Sequence, residues 1–313
     1  MHRQEVANNR IEYFDLAKGI CILLVLWFHI KSQYNIHSCV DIYLDAIRMP
    51  LYFFLSGFFF KPYNNLTMFV GRKTSSLLIP FAFFYLTTSV LLPIVIHHTT
   101  GMNFSTGQDW HLIYAFLTYN DYPNIPLWFL WGLFVLNITF YGLQRFIRHD
   151  IIIGICCLVI GLTLGYGWEM PASLNKAFCG LPFFYMGYIF HRHNIINRIK
   201  SSHIIPGLAF LFVVIGLTKS SSIPIYMLLS VVGVMLLIYI SKAIGHLPFV
   251  SYVGRYSIML LVTHEPIIRI LSACHISNPM LAYLLLIVSY LGIIPFMRKY
   301  MPYVTAQRKI FDT

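Results

Sequence analysis

A lysine and a histidine interrupt the first apolar segment of the chain, DLAKGICILLVLWFHI, at positions 18 and 29. On an α-helix, the eleven residues between Lys18 and His29 correspond to about 16 Å of rise and to three turns plus about 20°. Both side chains therefore lie on one face of the predicted helix. A lysine suits an anion, and a neutral imidazole suits proton transfer near pH 7, whereas a plain membrane anchor needs neither.

Further ionisable residues interrupt two other apolar segments. Arg48 opens RMPLYFFLSGFFF, and His264 and Glu265 lie in GRYSIMLLVTHEPI, with Arg269 just beyond. Counting from the cytoplasmic helix ends assigned below, Arg48 lies about 20 Å deep and His264 and Glu265 about 14–15 Å. His29, at about 16 Å, shares this level, so three predicted helices bring polar groups to similar depths.

Such residues are costly inside a bilayer, at least about 2.5 kcal/mol for arginine on insertion scales, so they normally face inward and are paired. Structural explanations exist for each: Lys18 as an interface anchor, Arg48 as a helix-end residue, Glu265 and Arg269 as an i,i+4 pair, and a lone histidine as packing. The convergence of several groups at one level favours a functional site.

The composition identifies the kind of protein that must position these residues. Of the 313 residues, 58% are hydrophobic and 11% are charged, and the mean hydropathy is +0.70. Soluble domains carry about 25% charged residues. The sequence therefore predicts an all-α integral membrane protein whose outer surface contacts the lipid bilayer.

The apolar segments predict a bundle of about ten transmembrane helices in one domain over residues 1–313. A mixed-charge leader without a small-residue cleavage pattern precedes the first, so we expect that helix to be retained. In the longest connection, 97–124, the stretch WHLIYAFLTY is predicted to lie along the membrane interface. The helices span approximately 16–34, 45–61, 76–96, 125–147, 150–167, 177–191, 203–218, 223–241, 254–273 and 279–296.

The distribution of lysine and arginine predicts the orientation. With a cytoplasmic N-terminus, seventeen of the 22 lysines and arginines fall on the cytoplasmic side. The other five are Lys31, Arg48, Lys176, Lys219 and Arg269. This asymmetry is typical of the positive-inside rule and places both termini in the cytoplasm. It also accounts for the net charge of +11, so we expect no nucleic-acid partner.

The six cysteines show no CxxC spacing and no His/Cys cluster with zinc-ligand spacing, so no metal is expected. Cys39 and Cys274 both face outward in the predicted topology, which leaves a disulfide between them as an alternative to free thiols.

Six segments in this order resemble the acyltransferase-3 family of integral membrane acyltransferases, particularly the short, single-domain sugar O-acetylase type. In the first, Lys18 and His29 match the family's signature of a basic residue, ten residues and a histidine; the family often has arginine at the basic position. A lysine keeps a phosphate contact there but not a bidentate one. The segments are FDLAKGICILLVLWFH, RMPLYFFLSGFFF, RKTSSLLIPF, PLWFLWGLF, LPFFYMGYIF and GRYSIMLLVTHEPI.

The resemblance implies transfer of an acyl group, usually acetyl from acetyl-CoA, to a hydroxyl of a sugar or glycan at or beyond the outer face of a bacterial-type inner membrane. CoA is polyanionic and cytoplasmic, and its phosphates need cations at the inner face. Lys18, Arg72 and Lys73 are the predicted donor-binding residues.

The chemistry of acyl transfer assigns the remaining roles. His29 is the predicted general base, with a covalent acyl-histidine relay as the alternative. Arg48 is the predicted oxyanion donor. His264 and Glu265 are predicted to orient the acceptor or to assist proton transfer. Because adjacent residues diverge by about 100° on a helix, His264 is favoured over Glu265.

A non-enzymatic transporter or flippase of a lipid-linked glycan or a small metabolite is the rival interpretation, since charges inside the membrane also mark transport paths. The chain lacks the paired halves typical of transporters. It also lacks a His-x4-Asp motif and the GxSxG of membrane serine hydrolases. The sequence leaves open the acceptor, the choice between acetyl and another acyl group, and the oligomeric state.

Overall fold

A computed structural model describes residues 11–61, 65–100, 124–218, 222–308 and 310. Over these residues the chain forms helices and no strands. The α-helices are α1 Glu12–Gln33, α2 Asp41–Phe58, α3 Leu66–Lys73, α4 Ile79–Thr100, α5 Trp128–Phe146, α6 Asp150–Ile160, α7 Leu174–Cys179, α8 Leu181–Arg192, α9 Ile195–Arg198, α10 Ser201–Leu217, α11 Ile223–Ile244, α12 Pro248–Arg255, α13 Ser257–Ala273 and α14 Pro279–Tyr300. The WHLIYAFLTY stretch predicted at the interface lies outside the described residues.

Four short elements extend these α-helices. A π-helical turn, Thr74–Leu78, joins α3 to α4, and a second, Gly161–Gly165, continues α6. The 3-10 turns Ile125–Leu127 and Pro171–Ser173 lead into α5 and α7.

Five helical stretches among the described residues are long and apolar enough to cross a bilayer. The all-helical membrane class predicted from composition is confirmed at this level. The five stretches are Glu12–Gln33, Leu66–His98, Ile125–Phe146, Ile223–Ile244 and Pro279–Tyr300.

Two helices outside this set carry ionisable residues that the sequence singles out as candidates. The 18-residue α2 contains Asp41, Asp45 and Arg48. The 17-residue α13 contains His264 and Glu265 followed by an internal proline. Candidate site residues therefore occur both in helices that meet the criteria for a full span and in these two, which do not.

Three of the predicted segments are extended or divided in the structure, beyond shifts of a few residues at helix ends elsewhere. The segment at 76–96 belongs to a longer helical run that begins at Leu66, where the side chain of Asn65 accepts a hydrogen bond from the backbone N–H of Thr67. The segment at 177–191 is divided at Gly180, and the one at 254–273 is divided at Tyr256. Hydropathy does not show the start at Leu66 because the turns of α3 are amphipathic. It does not show the break at Gly180 because the flanking sequence is apolar on both sides.

The described chain forms two compact units. The first comprises Met1–Val25, His37–Tyr52 and Phe190–Ser257, and the second comprises Leu26–Ile36, Phe53–Ile189 and Ile258–Thr313. Both α1 and α2 therefore contribute their two halves to different units.

In the first unit, α1 and α12 approach so closely that glycine is required on both helices. A β-carbon on Gly19 would lie 1.9 Å from the carbonyl oxygen of Val250, and one on Gly254 would lie 1.8 Å from that of Asp15. The two glycines thus face each other's backbones across one crossing, and such small-residue crossings are typical of membrane helix pairs.

The second unit repeats this arrangement where the end of α2 crosses α8. A β-carbon on Gly57 would lie 1.8 Å from the carbonyl oxygen of Phe184, and one on Gly187 would lie 1.9 Å from that of Phe54. Buried aromatic rings surround the crossing: Phe60 packs edge-on against Phe184, with ring centroids 5.7 Å apart.

The α2–α8 crossing predicts a sharp contrast between two glycine variants. Gly57→Leu should destabilise the protein by about 1–3 kcal/mol or more, because the side chain would overlap a neighbouring backbone that cannot move away. Gly142→Leu, on α5 with open space around its Cα, is the matched control. Size-exclusion profiles and thermal unfolding midpoints in detergent measure both. Equal behaviour of the two variants would show that the close approach is wrong.

Candidate functional site

His29 and Glu265 form a hydrogen-bonded pair in the second unit. The Nδ1 of His29 on α1 lies 3.2 Å from the Oε2 of Glu265 on α13, and the two side chains are 15% and 8% exposed. At this distance Nδ1–H donates to the carboxylate, which leaves the lone pair of the neutral ring on Nε2. A carboxylate that orients an imidazole in this way prepares it to accept a proton.

Polar contacts at the ends of α1 and α13 hold the two helices side by side. The Nε2 of Gln33 donates to the Oγ of Ser272 at 3.1 Å. The hydroxyl of the next residue, Tyr34, donates to the carbonyl oxygen of Ile276, four residues after Ser272. These contacts fix the relative translation of the helices and therefore bring His29 level with Glu265.

The second carboxylate oxygen of Glu265 is also occupied. Its Oε1 accepts a hydrogen bond of 3.0 Å from the Nε of Arg269, one turn further along α13. A buried carboxylate is stable only when charges and hydrogen bonds compensate for its lost hydration. Arg269 and His29 supply this compensation from opposite sides, so the i,i+4 pair foreseen as a structural alternative is part of the same cluster.

His264 completes the cluster as a fully buried second imidazole. Its ring centroid lies 4.8 Å from that of His29, with an angle of 64° between the planes. Its Nδ1 donates to the carbonyl oxygen of Leu260 at 2.7 Å, which assigns the proton to Nδ1. Its Nε2 is buried without a hydrogen-bond partner among the described residues.

His29 lies against both neighbours on α13. On a helical wheel the side chains of His264 and Glu265 diverge, and the sequence therefore favours His264 as the site residue. The structure places the carboxylate of Glu265 within hydrogen-bonding distance of His29 and the ring of His264 against the His29 ring. Because His29 lies between the two diverging side chains, it contacts both His264 and Glu265.

Arg48 belongs to the first unit, where it is buried and pairs with Asp45, three residues earlier on α2. Its carbonyl oxygen accepts a hydrogen bond of 2.9 Å from the thiol of Cys21. Asp45 is not among the residues predicted for the site, although the i,i+3 spacing in DAIR is a visible signal for the pair.

The three predicted donor-binding cations are divided between the units. Lys18 lies on α1 in the first unit, where its carbonyl oxygen accepts a hydrogen bond from the Tyr52 hydroxyl at 3.2 Å. Arg72 and Lys73 end α3 in the second unit. The ammonium of Lys73 lies 5.7 Å from the ring centroid of Phe69, within cation–π range.

The cysteines and the acidic residues add no further centre. All six cysteines are free, and Cys39 and Cys274 are exposed, so the disulfide alternative is not formed. Across the described parts of the chain, no group of three or more His, Cys, Asp and Glu side chains could hold a metal ion.

An imidazole hydrogen-bonded to a buried carboxylate, with a second, buried imidazole beside it within apolar helices, defines a class: an integral membrane protein with an internal site suited to proton transfer. The acyltransferase-3 family model, an acyltransferase domain, matches residues 11–298, nearly the whole chain. The chain belongs to this family, which confirms the resemblance and supports a membrane acyltransferase. No curated protein and no solved structure shows a significant match.

The contact between His29 and Glu265 predicts that Glu265→Gln lowers kcat for acyl transfer by about 100-fold or more, because an imidazolium formed at His29 loses its counter-charge. Glu169→Gln, an exposed carboxylate, is the control. Acyl transfer in membranes with equal amounts of each variant, assayed with the donor and acceptor proposed below, measures the effect. Wild-type turnover in Glu265→Gln would exclude the carboxylate from the reaction.

Proposed function

We propose that this protein is an O-acetyltransferase that moves an acetyl group from cytoplasmic acetyl-CoA to a hydroxyl of a cell-surface or exported sugar or glycan. The observation that carries the proposal is the His29–Glu265 pair, a histidine base oriented by a carboxylate, within a chain of the acyltransferase-3 family.

The proposed reaction begins at the free nitrogen of His29. Its Nε2 takes the proton from the acceptor hydroxyl as the oxygen attacks the thioester carbonyl. The tetrahedral intermediate collapses with cleavage of the C–S bond, and the protonated Nε2 returns the proton to the leaving thiolate. Glu265 stabilises the imidazolium between these steps, so one imidazole serves as base and then as acid.

His264 is proposed to support this cycle from beside the His29 ring. Its Nδ1–H is already committed to Leu260, so its unpartnered Nε2 is an acceptor. A buried acceptor without a partner suits an acceptor hydroxyl that arrives with the substrate. The role of acceptor orientation predicted from the sequence is consistent with this nitrogen.

Arg48 is proposed as the donor that stabilises the oxyanion, and Lys18, Arg72 and Lys73 as the residues that bind the phosphates of CoA. The ion pair with Asp45 supports a permanently charged, oriented guanidinium at Arg48. The two adjacent cations at the end of α3 suit a polyanion.

The membrane arrangement is part of the proposal: about ten transmembrane helices in a single domain, with both termini on the cytoplasmic side of a bacterial-type plasma membrane. The helices that fall short of a full apolar span belong to this bundle when their polar residues face inward. Acetyl-CoA then reaches the site from the cytoplasm, and the acceptor reaches it from the opposite side.

This orientation predicts which thiols an impermeant maleimide reaches in intact cells. Cys39 and Cys274, free and exposed near the proposed outer ends of α2 and α13, should be labelled, and Cys39→Ser/Cys274→Ser should not. A cysteine introduced by Arg308→Cys in that double variant should react only after the cells are permeabilised. Labelling of position 308 from outside would reverse the orientation.

The proposed function predicts that His29→Ala abolishes acetylation. A deletion strain should lose O-acetyl esters from its surface glycan, the wild-type gene should restore them, and His29→Ala should not, because no base remains to take the hydroxyl proton. NMR of the purified glycan measures the esters. His203→Ala, at an exposed position on α10, is the matched control and should restore them fully.

The same strains separate the alternatives, provided that immunoblots show equal insertion of each variant. Full restoration by His29→Ala would reduce His29 to a packing residue and overturn the mechanism. Loss of glycan export, rather than of acetyl esters, in the deletion strain would favour the transporter.

A further inference from the structure

Pro266 follows Glu265 directly and lies inside α13. Proline has no backbone N–H, so it cannot donate to the carbonyl oxygen four residues earlier, which is that of Val262. A buried backbone carbonyl without a donor is destabilising, and nearly all such groups find a partner. The partner of this carbonyl therefore determines how the turn that carries His264 and Glu265 is held.

The partner is the side chain of Asn124. Its Nδ2 donates to the carbonyl oxygen of Val262 at 2.9 Å, across 138 positions of sequence. The same nitrogen lies 3.3 Å from the hydroxyl oxygen of Thr88 on α4. All of these residues belong to the second unit. One side-chain amide thus joins α13, α4 and the start of the helical run that continues into α5.

The environment of Asn124 indicates that these two hydrogen bonds are its role. Asn124 is fully buried and directly precedes the 3-10 turn Ile125–Leu127. Asparagine commonly caps the helix that it precedes, but this side chain makes no capping bond. Its Oδ1 is buried and has no hydrogen-bond partner within the described parts of the chain. The amide hydrogens therefore account for an asparagine at this position.

We propose that Asn124 is a positioning residue for the acyl-transfer site. Its amide replaces the N–H that Pro266 lacks and so fixes the turn of α13 from which Glu265 reaches His29. This inference rests on the proposed function for its catalytic consequence. Because Asn124 acts through the backbone of α13, it affects how well the bound substrates react and not how tightly they bind.

The test is a double-mutant cycle with Asn124→Leu and Pro266→Ala. Asn124→Leu keeps the volume and removes the donor, so kcat should fall about 10–100-fold, as expected when a catalytic group is misplaced by about 1 Å. The KM values for acetyl-CoA and for the glycan should change by less than about threefold, since Asn124 is fully buried and acts through the backbone of α13.

Pro266→Ala restores a backbone N–H opposite the carbonyl of Val262. In that background, Asn124→Leu should cost about twofold in kcat or less, because the helix itself now supplies the hydrogen bond. Asn137→Leu is the matched control: Asn137 is also fully buried, and its amide donates to Leu133 within its own helix at 2.7 Å. This control should lose less than about threefold in kcat and gain nothing from Pro266→Ala.

Two results would overturn the proposal: an Asn124→Leu defect of the same size in both backgrounds, or an equal defect in Asn137→Leu. Thermal unfolding of the same variants without substrate gives a second cycle that does not depend on activity. Asn124→Leu should lower the midpoint less in the Pro266→Ala background. If the wild-type protein transfers no acetyl group, the proposed function fails, and the thermal cycle alone then supports the hydrogen-bond replacement by coupling or rejects it by additivity.

Discussion

The Glu265 carboxylate is the constraint on which the arrangement of the second unit depends. A carboxylate buried among apolar helices loses its hydration, and opposite charge and hydrogen bonds must replace it. Arg269 does this from the same helix, whereas His29 does it from α1. The requirement of Glu265 for a partner therefore links α1 to α13 at one level, and the contacts of Gln33 and Tyr34 maintain that level.

Close helix packing limits how far this cluster can adjust. Reciprocal glycine crossings bring α1 against α12 and α2 against α8 at backbone contact. Since apolar side chains gain little by meeting each other rather than lipid, membrane helices associate through such close backbone approaches and through polar contacts. Glycine positions set the helix spacing here, and the polar cluster selects the register.

The sequence predicts the class of fold and part of the site, for reasons that differ by residue. Composition alone identifies a helical membrane protein, and counting depth along α1 and α13 brings His29, His264 and Glu265 to one level, where the structure has them in contact. Depth is one coordinate, and it does not show that both His264 and Glu265 contact His29. That contact depends on the rotation of α1.

Other features depend on information that hydropathy does not contain. The i,i+3 spacing of Asp45 and Arg48 indicates their pairing, which hydropathy alone does not show. The bond between Asn124 and Val262 joins positions 138 residues apart, and no local pattern predicts it. The break at Tyr256 lies two residues inside the predicted segment 254–273 and separates the short, amphipathic α12 from the apolar α13.

The residues of α13 that are unfavourable in a lipid-exposed helix are the same residues that form the polar cluster with His29. The His264 ring of this helix packs against the His29 ring of α1. Within the six positions 264–269, α13 also carries a carboxylate, a proline and an arginine. Each disfavours a helix in lipid, yet each has a partner within the second unit: His29 and Arg269 for Glu265, Leu260 for His264, and Asn124 for the carbonyl freed by Pro266. Local rules are broken most often where function requires it, and the surrounding structure compensates. Among the described residues this compensation leaves one nitrogen of the cluster buried without a partner, the Nε2 of His264, and a buried acceptor with an unused lone pair is the kind of group that a substrate hydroxyl can satisfy.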